Sequence, residues 1–358
     1  MQNQLSQKMA QKKPVVTITS NKTARIPGRI GRFSIEREIG RGMIGAVYVG
    51  HDPVMDRDVA IKTFNPTLSA QARREHDQHF VNEARAAGRL SHPHIVTIFE
   101  ASSEAPDNYL AMEWLQGREL GSMLAEAHVF ALDDVASIIW KLSDALDYAH
   151  KQQVIHRDIK PSNIFLVGDH QPKLVDFGIA RAPNRAFEQL ATEDAPFTLF
   201  RNNLLGTPNY MSPEQATGRE VDHRTDIYSL GAVMFEMLTG TKPFQSRDTD
   251  KLLNMIAYKA PAKPHDINAA IPIALSRIVM KAMSKQVENR YQQASEMTAD
   301  LKRYLVDGKR ARRNLRLTMS DMDRNDTDAG SRLRPALLGV LVLCGAAVLL
   351  VLSHWRSG

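Results

Sequence analysis

Strand-like and helix-like segments are segregated along this chain, and that separation limits the folds it can adopt. From Phe33 onward, short runs rich in β-branched and aromatic residues alternate with turn residues. The five such runs are RFSIEREIG, AVYVGHD, RDVAIKTFN, IVTIFEAS and NYLAMEW, and the run AQARREHDQHFVNEARAAGRL between the third and fourth has a helical pattern. We therefore expect residues 33–116 to form a five-stranded antiparallel sheet with one helix.

Helical patterns dominate residues 117–305. The run DDVASIIWKLSDALDYAHKQ has one apolar stripe at helical spacing, formed by Val135, Ile138, Ile139, Leu142, Leu146 and Ala149. The run TDIYSLGAVMFEMLTG is apolar on nearly every side, which predicts a buried helix. A β-rich lobe (33–116) followed by an α-rich lobe (117–305) predicts a bilobal α+β fold, and 358 residues suffice for two lobes.

The positive net charge of the chain lies in its flanks. The total is +6, but residues 1–32 contain seven basic and no acidic side chains, and residues 302–316 contain seven basic side chains against Asp307. The body between them is therefore acidic. Nucleic-acid-binding folds more often carry the basic patch on the body, so we expect no nucleic-acid partner. Residues 1–32 have little apolar periodicity and are expected to be a disordered basic tail.

The C-terminal part contains a polar segment and then an apolar one. Residues 306–335 have the composition of a linker, and residues 336–352 contain no charge. As a helix, the uncharged run would be about 25 Å long, at the short end for a membrane span. We expect residues 336–352 to cross a membrane, with 353–358 as a short tail; a buried C-terminal helix is the alternative. The basic run 302–316 suits either an anionic lipid surface or the end of a helix followed by a solvated linker.

Glycines and charged residues in the first lobe suggest a phosphate site. Gly40, Gly42 and Gly45 have the spacing Gly-x-Gly-x-x-Gly and lie between two β-rich runs, so they predict a hairpin tip whose backbone N–H groups approach phosphates. Lys62 follows on the next strand, where it can pair with phosphates. Glu83, on the helix that follows, can hold that lysine extended. Each of these residues, taken alone, could be an ordinary solvent-exposed residue.

The segment VIHRDIKPSNIFL concentrates polar groups between apolar residues. Asp158, Lys160 and Asn163 lie within six residues, and Asp176 follows thirteen positions after Asn163. A cluster of this kind is unfavourable to bury unless it holds a charged ligand.

These motifs, in this order, resemble those of eukaryotic-like protein kinases, in particular the bacterial serine/threonine kinases, over residues 33–305. The HRD motif would be 156–158 and the DFG motif 176–178. The resemblance implies that Asp158 is the base for the acceptor hydroxyl and that Lys160 contacts the γ-phosphate of ATP. It implies that Asn163 and Asp176 bind Mg²⁺, or Mn²⁺, and that Lys62 pairs with Glu83.

The resemblance assigns further residues. It implies an adenine pocket formed by Ile39, Val47, Ala60, Met112, Glu113, Leu115 and Phe165, in which Phe165 is larger than the usual residue. Thr207 would line the acceptor site. Glu214 would form a buried ion pair with Arg290, and Asp226 would bond to the catalytic-loop backbone. Arg157 would bind a phosphate on the activation segment, and Thr198 and Thr192 are the candidate phosphorylation sites.

The resemblance implies a function and partners. We expect an ATP-dependent serine/threonine protein kinase that phosphorylates itself and other proteins and is opposed by a phosphatase. Two arginines precede the apolar run and one follows it, which favours a cytoplasmic kinase domain at a bacterial inner membrane and a C-terminus outside. A nucleotide-binding scaffold without turnover is the alternative.

Overall fold

The computed structural model describes residues 27–41, 45–64, 88–102, 108–168, 170–177, 208–308 and 310. The chain divides into two compact units. One comprises residues up to 68 together with 101–114, and the other comprises 69–100 together with 115 onward. The first contains mainly strands and the second mainly helices, so the predicted division into a β-rich and an α-rich lobe is present.

The described residues form a six-stranded sheet in the order β1-β2-β3-β4-β6-β5. The pairings that join β1 to β2, β2 to β3, β3 to β4 and β4 to β6 are antiparallel. Five of the strands lie where the sequence predicts them, and most of β5 belongs to the second unit. The strands are β1 (Arg29–Ile30), β2 (Phe33–Arg41), β3 (Gly45–Asp52), β4 (Arg57–Phe64), β5 (Ile98–Ser102) and β6 (Tyr109–Glu113).

Strand β1 corrects both the strand count and the start of the folded region. The sequence analysis assigned residues 1–32 to a disordered tail, but Ile30 pairs with Phe33 in a tight hairpin and is 5% exposed. Gly31 makes that hairpin possible because its φ is +54°, and a Cβ there would lie 2.6 Å from the Tyr109 ring. Two residues are too few to show a strand periodicity, so the sequence pattern could not reveal β1.

Within the described ranges, the second unit contains helices and three short 3₁₀ turns, at Pro161–Asn163, Pro208–Tyr210 and Val287–Asn289. The helices are α1 (Leu120–Ala125), α2 (Leu132–Lys151), α3 (Pro213–Ala216), α4 (Arg224–Thr239), α5 (Thr249–Tyr258), α6 (Pro264–Ile267), α7 (Ile273–Ala282) and α8 (294–308).

Helices α2 and α4 form the centre of this unit, and the sequence predicts both. All six apolar-stripe residues of α2 are fully buried. Every residue of α4 from Thr225 to Leu238 is buried, as its apolar character on all sides requires. Helix α4 ends at Gly240, whose φ of +69° is the left-handed conformation in which glycine is favoured.

A second, three-stranded antiparallel sheet was not predicted. Its strands are β7 (Gly117–Glu119), β8 (Ile164–Val167) and β9 (Gln171–Leu174), in that order. Gly117 allows β7 to approach β8 closely, because a Cβ there would lie 2.3 Å from the carbonyl oxygen of Leu166. The sheet matters for the site because the polar segment 156–163 ends where β8 begins, and Asp176 follows β9.

No helix in the described ranges is long and apolar enough to cross a membrane. The predicted linker 306–335 begins too early, because helix α8 continues to 308 and residue 310 is also helical. The rest of that linker, the apolar run 336–352 and the tail 353–358 lie outside the described ranges, so the predicted membrane span stays a prediction.

Candidate active site

The carboxylate of Asp158 is held by two side chains of its own loop. Lys160 Nζ lies 2.7 Å from Asp158 Oδ2. Asn163 Nδ2 donates to the same oxygen at 3.1 Å and to the Asp158 backbone carbonyl at 2.8 Å. The 3₁₀ turn Pro161–Asn163 brings Asn163 back toward Asp158. The Asp158 side chain is 23% exposed, so its carboxylate is oriented by the loop but still reachable from solvent.

The hydrogen bonds of Asn163 leave one of its atoms suited to a cation. Asn163 is 6% exposed, and its Nδ2 is committed to Asp158, so Oδ1 is the oxygen that can bind a ligand. The Asn163 carbonyl also accepts the Val175 N–H at 3.0 Å. This bond ties the loop to the residue before Asp176. An amide oxygen and a carboxylate on linked segments are the oxygen ligands that Mg²⁺ prefers.

The backbone of the catalytic loop is anchored by Asp226 at the start of α4. Its carboxylate is fully buried and accepts the N–H of His156 at 2.8 Å and the N–H of Arg157 at 2.7 Å. Arg157 has φ +63°, a strained conformation for a residue other than glycine. Burial would raise the pKa of Asp226, but the hydrogen bonds from His150 and from the His156 N–H hold it below its usual range.

His156 supports the same loop as a neutral ring. Burial lowers its pKa. The ring Nδ1 lies 3.3 Å from the N–H of Asp158 and accepts it, so Nε2 carries the proton and donates to the Val175 carbonyl at 3.1 Å. The ring also packs against buried Phe177 with 4.6 Å between centroids. His156 thus connects the backbone of Asp158 to the segment that carries Asp176.

In the first unit, the strand register puts several predicted nucleotide residues on one face of the sheet. Val47 lies directly opposite Lys62, and Ala60 lies directly opposite Met112. Because paired residues and residues two apart share a face, all four side chains lie on the same side. Gly40 is paired with Val47, next to the last described pair of β2 and β3, which is Arg41 with Ala46. This face can receive a nucleotide, with the glycine hairpin at one end.

Residues 33–323 match the protein family described as "Protein kinase domain". The chain belongs to the protein kinase family. It is 37% identical over 267 residues to the serine/threonine-protein kinase Pkn1 of Myxococcus xanthus, covering 74% of this chain and 37% of Pkn1. It is 36% identical over 274 residues to a probable serine/threonine-protein kinase of Clostridium acetobutylicum, covering 75% of this chain and 39% of that protein.

This kinase chain thus spans about two fifths of the length of the curated relatives it matches. Among solved structures, the kinase domain of Mycobacterium tuberculosis PknI resembles it with a TM-score of 0.58 at 23% identity, covering 77% of this chain and 96% of that one. At that identity the likeness shows the fold, which is the bilobal protein kinase fold.

The kinase domain contains the structural ion pair that the resemblance implied. Arg290 Nη1 and Nη2 each lie 2.7 Å from one carboxylate oxygen of Glu214, and the two side chains are 0% and 7% exposed. Arg290 also donates to the backbone carbonyls of Ser284 and Arg224. The pair therefore joins the start of α3 to the chain after α7.

Two residues that hold the kinase loop were missed by the sequence analysis. His150, in the last turn of α2, is 2.8 Å from Asp226 through Nε2, and its side chain is 8% exposed. Gln215, in α3, donates from Nε2 to the Arg157 carbonyl at 2.8 Å. His150 lies 76 positions from Asp226 and Gln215 lies 58 from Arg157, so no local spacing indicates either contact. The sequence offered one signal for these two residues, which is a polar side chain within a buried segment.

The structure also locates the other residues that are predicted to contact adenine. Ile39 is 43% exposed near the end of β2, and Glu113 is the last residue of β6. Leu115 follows in the second unit. Phe165 lies on β8, opposite Glu119 of β7 and Lys173 of β9. Several predicted kinase residues lie outside the described ranges and stay predictions: Gly42, Glu83, Thr192, Thr198 and Thr207.

Proposed function

We propose that this chain is an ATP-dependent serine/threonine protein kinase that transfers the γ-phosphoryl group of ATP to hydroxyl groups of proteins. One observation carries the proposal. The Asp158 carboxylate is held by Lys160 Nζ at 2.7 Å and Asn163 Nδ2 at 3.1 Å, on a loop anchored by buried Asp226. A carboxylate fixed in this way can orient an incoming hydroxyl and accept its proton.

The proposed reaction uses these residues in separate roles. As the acceptor oxygen forms a bond to the γ-phosphorus and the bond to the ADP oxygen breaks, the hydroxyl proton passes to Asp158. Lys160, two residues after Asp158, supplies positive charge to the γ-phosphoryl group that is transferred. Lys62 in the first unit supplies positive charge to the other phosphates. Little covalent chemistry is needed, because positioning and charge neutralisation lower the barrier.

The residues present fit Mg²⁺, or Mn²⁺, and ATP as the cofactors. Asn163 Oδ1 and the Asp176 carboxylate would hold the metal, which would neutralise phosphate charge when bound. Val47, Ala60 and Met112 present a mainly apolar sheet face to an adenine. Ile39, Leu115 and Phe165 would complete that pocket.

The choice of serine and threonine as acceptors is supported by the relatives and by Lys160. The curated relatives are named serine/threonine-protein kinases, and the loop sequence HRDIKPSN has the lysine typical of that class. Tyrosine kinases usually carry a different residue near this position. Thr207 would line the site that receives the acceptor.

Regulation by autophosphorylation is a further part of the proposal. Arg157 precedes the base and is held by Asp226 and Gln215 through its backbone. A phosphate on Thr198, or on Thr192, would bring a charge of about −1.5 to −2 to the activation segment and could bind this arginine. A cognate phosphatase would reverse the modification.

The membrane location rests on the sequence. The uncharged run 336–352 would tether the kinase domain on the cytoplasmic side of a bacterial inner membrane, with residues 353–358 outside. Signalling at the membrane to protein substrates follows from that location.

The test is incubation of the full chain with Mg²⁺ and labelled ATP, beside Asp158→Asn. We expect label on the wild type and a loss of about 10²–10⁴-fold in the variant. Asp144→Asn, which removes a half-exposed carboxylate from α2, is the control and should retain activity. If the wild type bound ATP without transferring phosphate under these conditions, the kinase proposal would give way to a nucleotide-binding scaffold.

A further inference from the structure

An ion pair lies at the base of the glycine-rich hairpin, outside the residues assigned so far. Arg41 Nε donates to Glu38 Oε1 at 2.8 Å, and Arg41 Nη2 donates to Glu38 Oε2 at 2.5 Å. The same Nη2 lies 3.5 Å from the hydroxyl oxygen of Tyr48, on β3. A bidentate contact of this kind fixes the orientation of both side chains, whereas a single hydrogen bond would not.

The contact depends on an irregularity in β2. Residues three apart in a regular strand point to opposite faces, so Glu38 and Arg41 would not normally meet. Here Glu38 is paired with Tyr48 and Gly40 with Val47, which leaves Ile39 as an extra residue in β2. The shift returns Arg41 to the face that Glu38 occupies.

That face is opposite to the proposed nucleotide face. Arg41 is paired with Ala46, which shares a face with Tyr48, whereas Gly40 is paired with Val47, which shares a face with Lys62. The ion pair therefore stabilises the hairpin on the face opposite to the proposed nucleotide face. Its charged groups lie on the other side of the strands from the residues that would contact ATP.

We propose that Glu38 and Arg41 are positioning residues that hold Gly40 and Gly45 in the conformation that binds nucleotide phosphates. This inference rests on the kinase function proposed above and extends it to ATP affinity. A glycine-rich hairpin has more conformational freedom to lose on binding than other sequences. The ion pair within β2, together with the contact of Arg41 with Tyr48 on β3, removes part of that freedom before ATP arrives, which strengthens binding without a direct contact.

The bidentate geometry of the contact requires an arginine at position 41. Lysine carries the same charge but has a single amine in place of the planar fork. Arg41→Lys should therefore recover only part of the effect of the pair, and the exchanged pair Glu38→Arg with Arg41→Glu should recover most of it. A residue that acts only through its charge near the phosphates would behave differently, because the exchanged pair would place a carboxylate in the loop and weaken binding further.

The experiment measures the Kd of ATP in the presence of Mg²⁺, together with kcat and KM, for the full chain and each variant. Glu38→Gln and Arg41→Gln should each raise Kd and KM about two- to five-fold with little change in kcat, as expected for an exposed pair. The difference from the wild type should shrink near 1 M salt, where charges are screened beyond about 3 Å. Glu36→Gln removes an exposed carboxylate from the same strand and is the matched control.

Equal Kd values for Glu38→Gln and Glu36→Gln would overturn the inference, and so would an exchanged pair weaker than either single variant. If the wild type bound ATP but transferred no phosphate, the proposed function would be contradicted. The comparison of Kd values would still test the inference about Glu38 and Arg41. A wild type that binds no ATP would overturn both.

Discussion

Breaking the buried ion pair between Glu214 and Arg290 should destabilise the kinase domain more than any surface substitution. Both side chains are almost fully buried, and two parallel hydrogen bonds of 2.7 Å join them. Removing one partner leaves a buried charge uncompensated, which typically lowers the free energy of unfolding by about 3–5 kcal/mol. For a domain of this size the melting temperature should fall by roughly 6–20 °C.

The two single variants should not be equivalent. Glu214→Gln leaves a guanidinium that still donates to the carbonyls of Ser284 and Arg224, at 2.8 and 3.3 Å. Arg290→Met leaves the Glu214 carboxylate and both carbonyls without that donor, so we expect the larger loss of stability.

The assay is urea unfolding followed by circular dichroism, with a double-mutant cycle. Glu214→Leu, Arg290→Met and their combination form the cycle, and the double variant should be much more stable than the sum of its two single losses predicts, because an apolar pair leaves no buried charge. Arg118→Gln is the control, since the Arg118–Glu126 pair has side chains 52% and 61% exposed and should lose less than about 1 kcal/mol. If Glu214→Gln were no less stable than Arg118→Gln, the reasoning about burial would be refuted.

Three further predictions concern a lysine, a histidine and a threonine. Burial lowers the pKa of Lys285 to about 7 from 10.5, so the unfolded chain binds more protons between these values and stability rises with pH there, by up to about 1.4 kcal/mol per pH unit. In urea titrations, Lys285→Met should lack this rise. His150→Phe removes a donor to Asp226 and should lower both the unfolding free energy, by about 1–3 kcal/mol, and kcat; unchanged kcat would show that His150 does not position the loop. Thr198→Ala should lose phosphate and activity, whereas full activity in that variant would contradict the proposed regulation.

Sequence patterns predicted the elements with long, regular periodicity. The stripe of α2 and the apolar surface of α4 are buried as expected, because helices of 16–20 residues repeat their pattern several times. The short elements were missed. Strand β1 has two residues and β7 has three, which is too few for a period-two pattern to stand out.

The candidate site likewise contains residues that local spacing could group and residues that it could not. Asp158, Lys160 and Asn163 are separated by two and five positions, and the structure brings their side chains together through one loop and one 3₁₀ turn. Local spacing is informative there because the chain between these residues is too short to separate them. The presence of Asp226 beside this loop was expected only because the chain resembles a known family, since 69 residues separate Asp226 from Arg157.

The residues that hold the loop explain why spacing alone could not complete the site. His150 lies before the loop, whereas Gln215 and Asp226 follow it by about 60 residues or more, and all three bond to the loop backbone or to each other. Arg157 can keep its strained φ of +63° only because this surrounding set fixes both its N–H and its carbonyl. The orientation of the Asp158 side chain therefore depends on contacts made by helices α2, α3 and α4. Those contacts follow from packing of the whole lobe, so local spacing could group Asp158, Lys160 and Asn163 but could not indicate the contacts of His150 and Gln215.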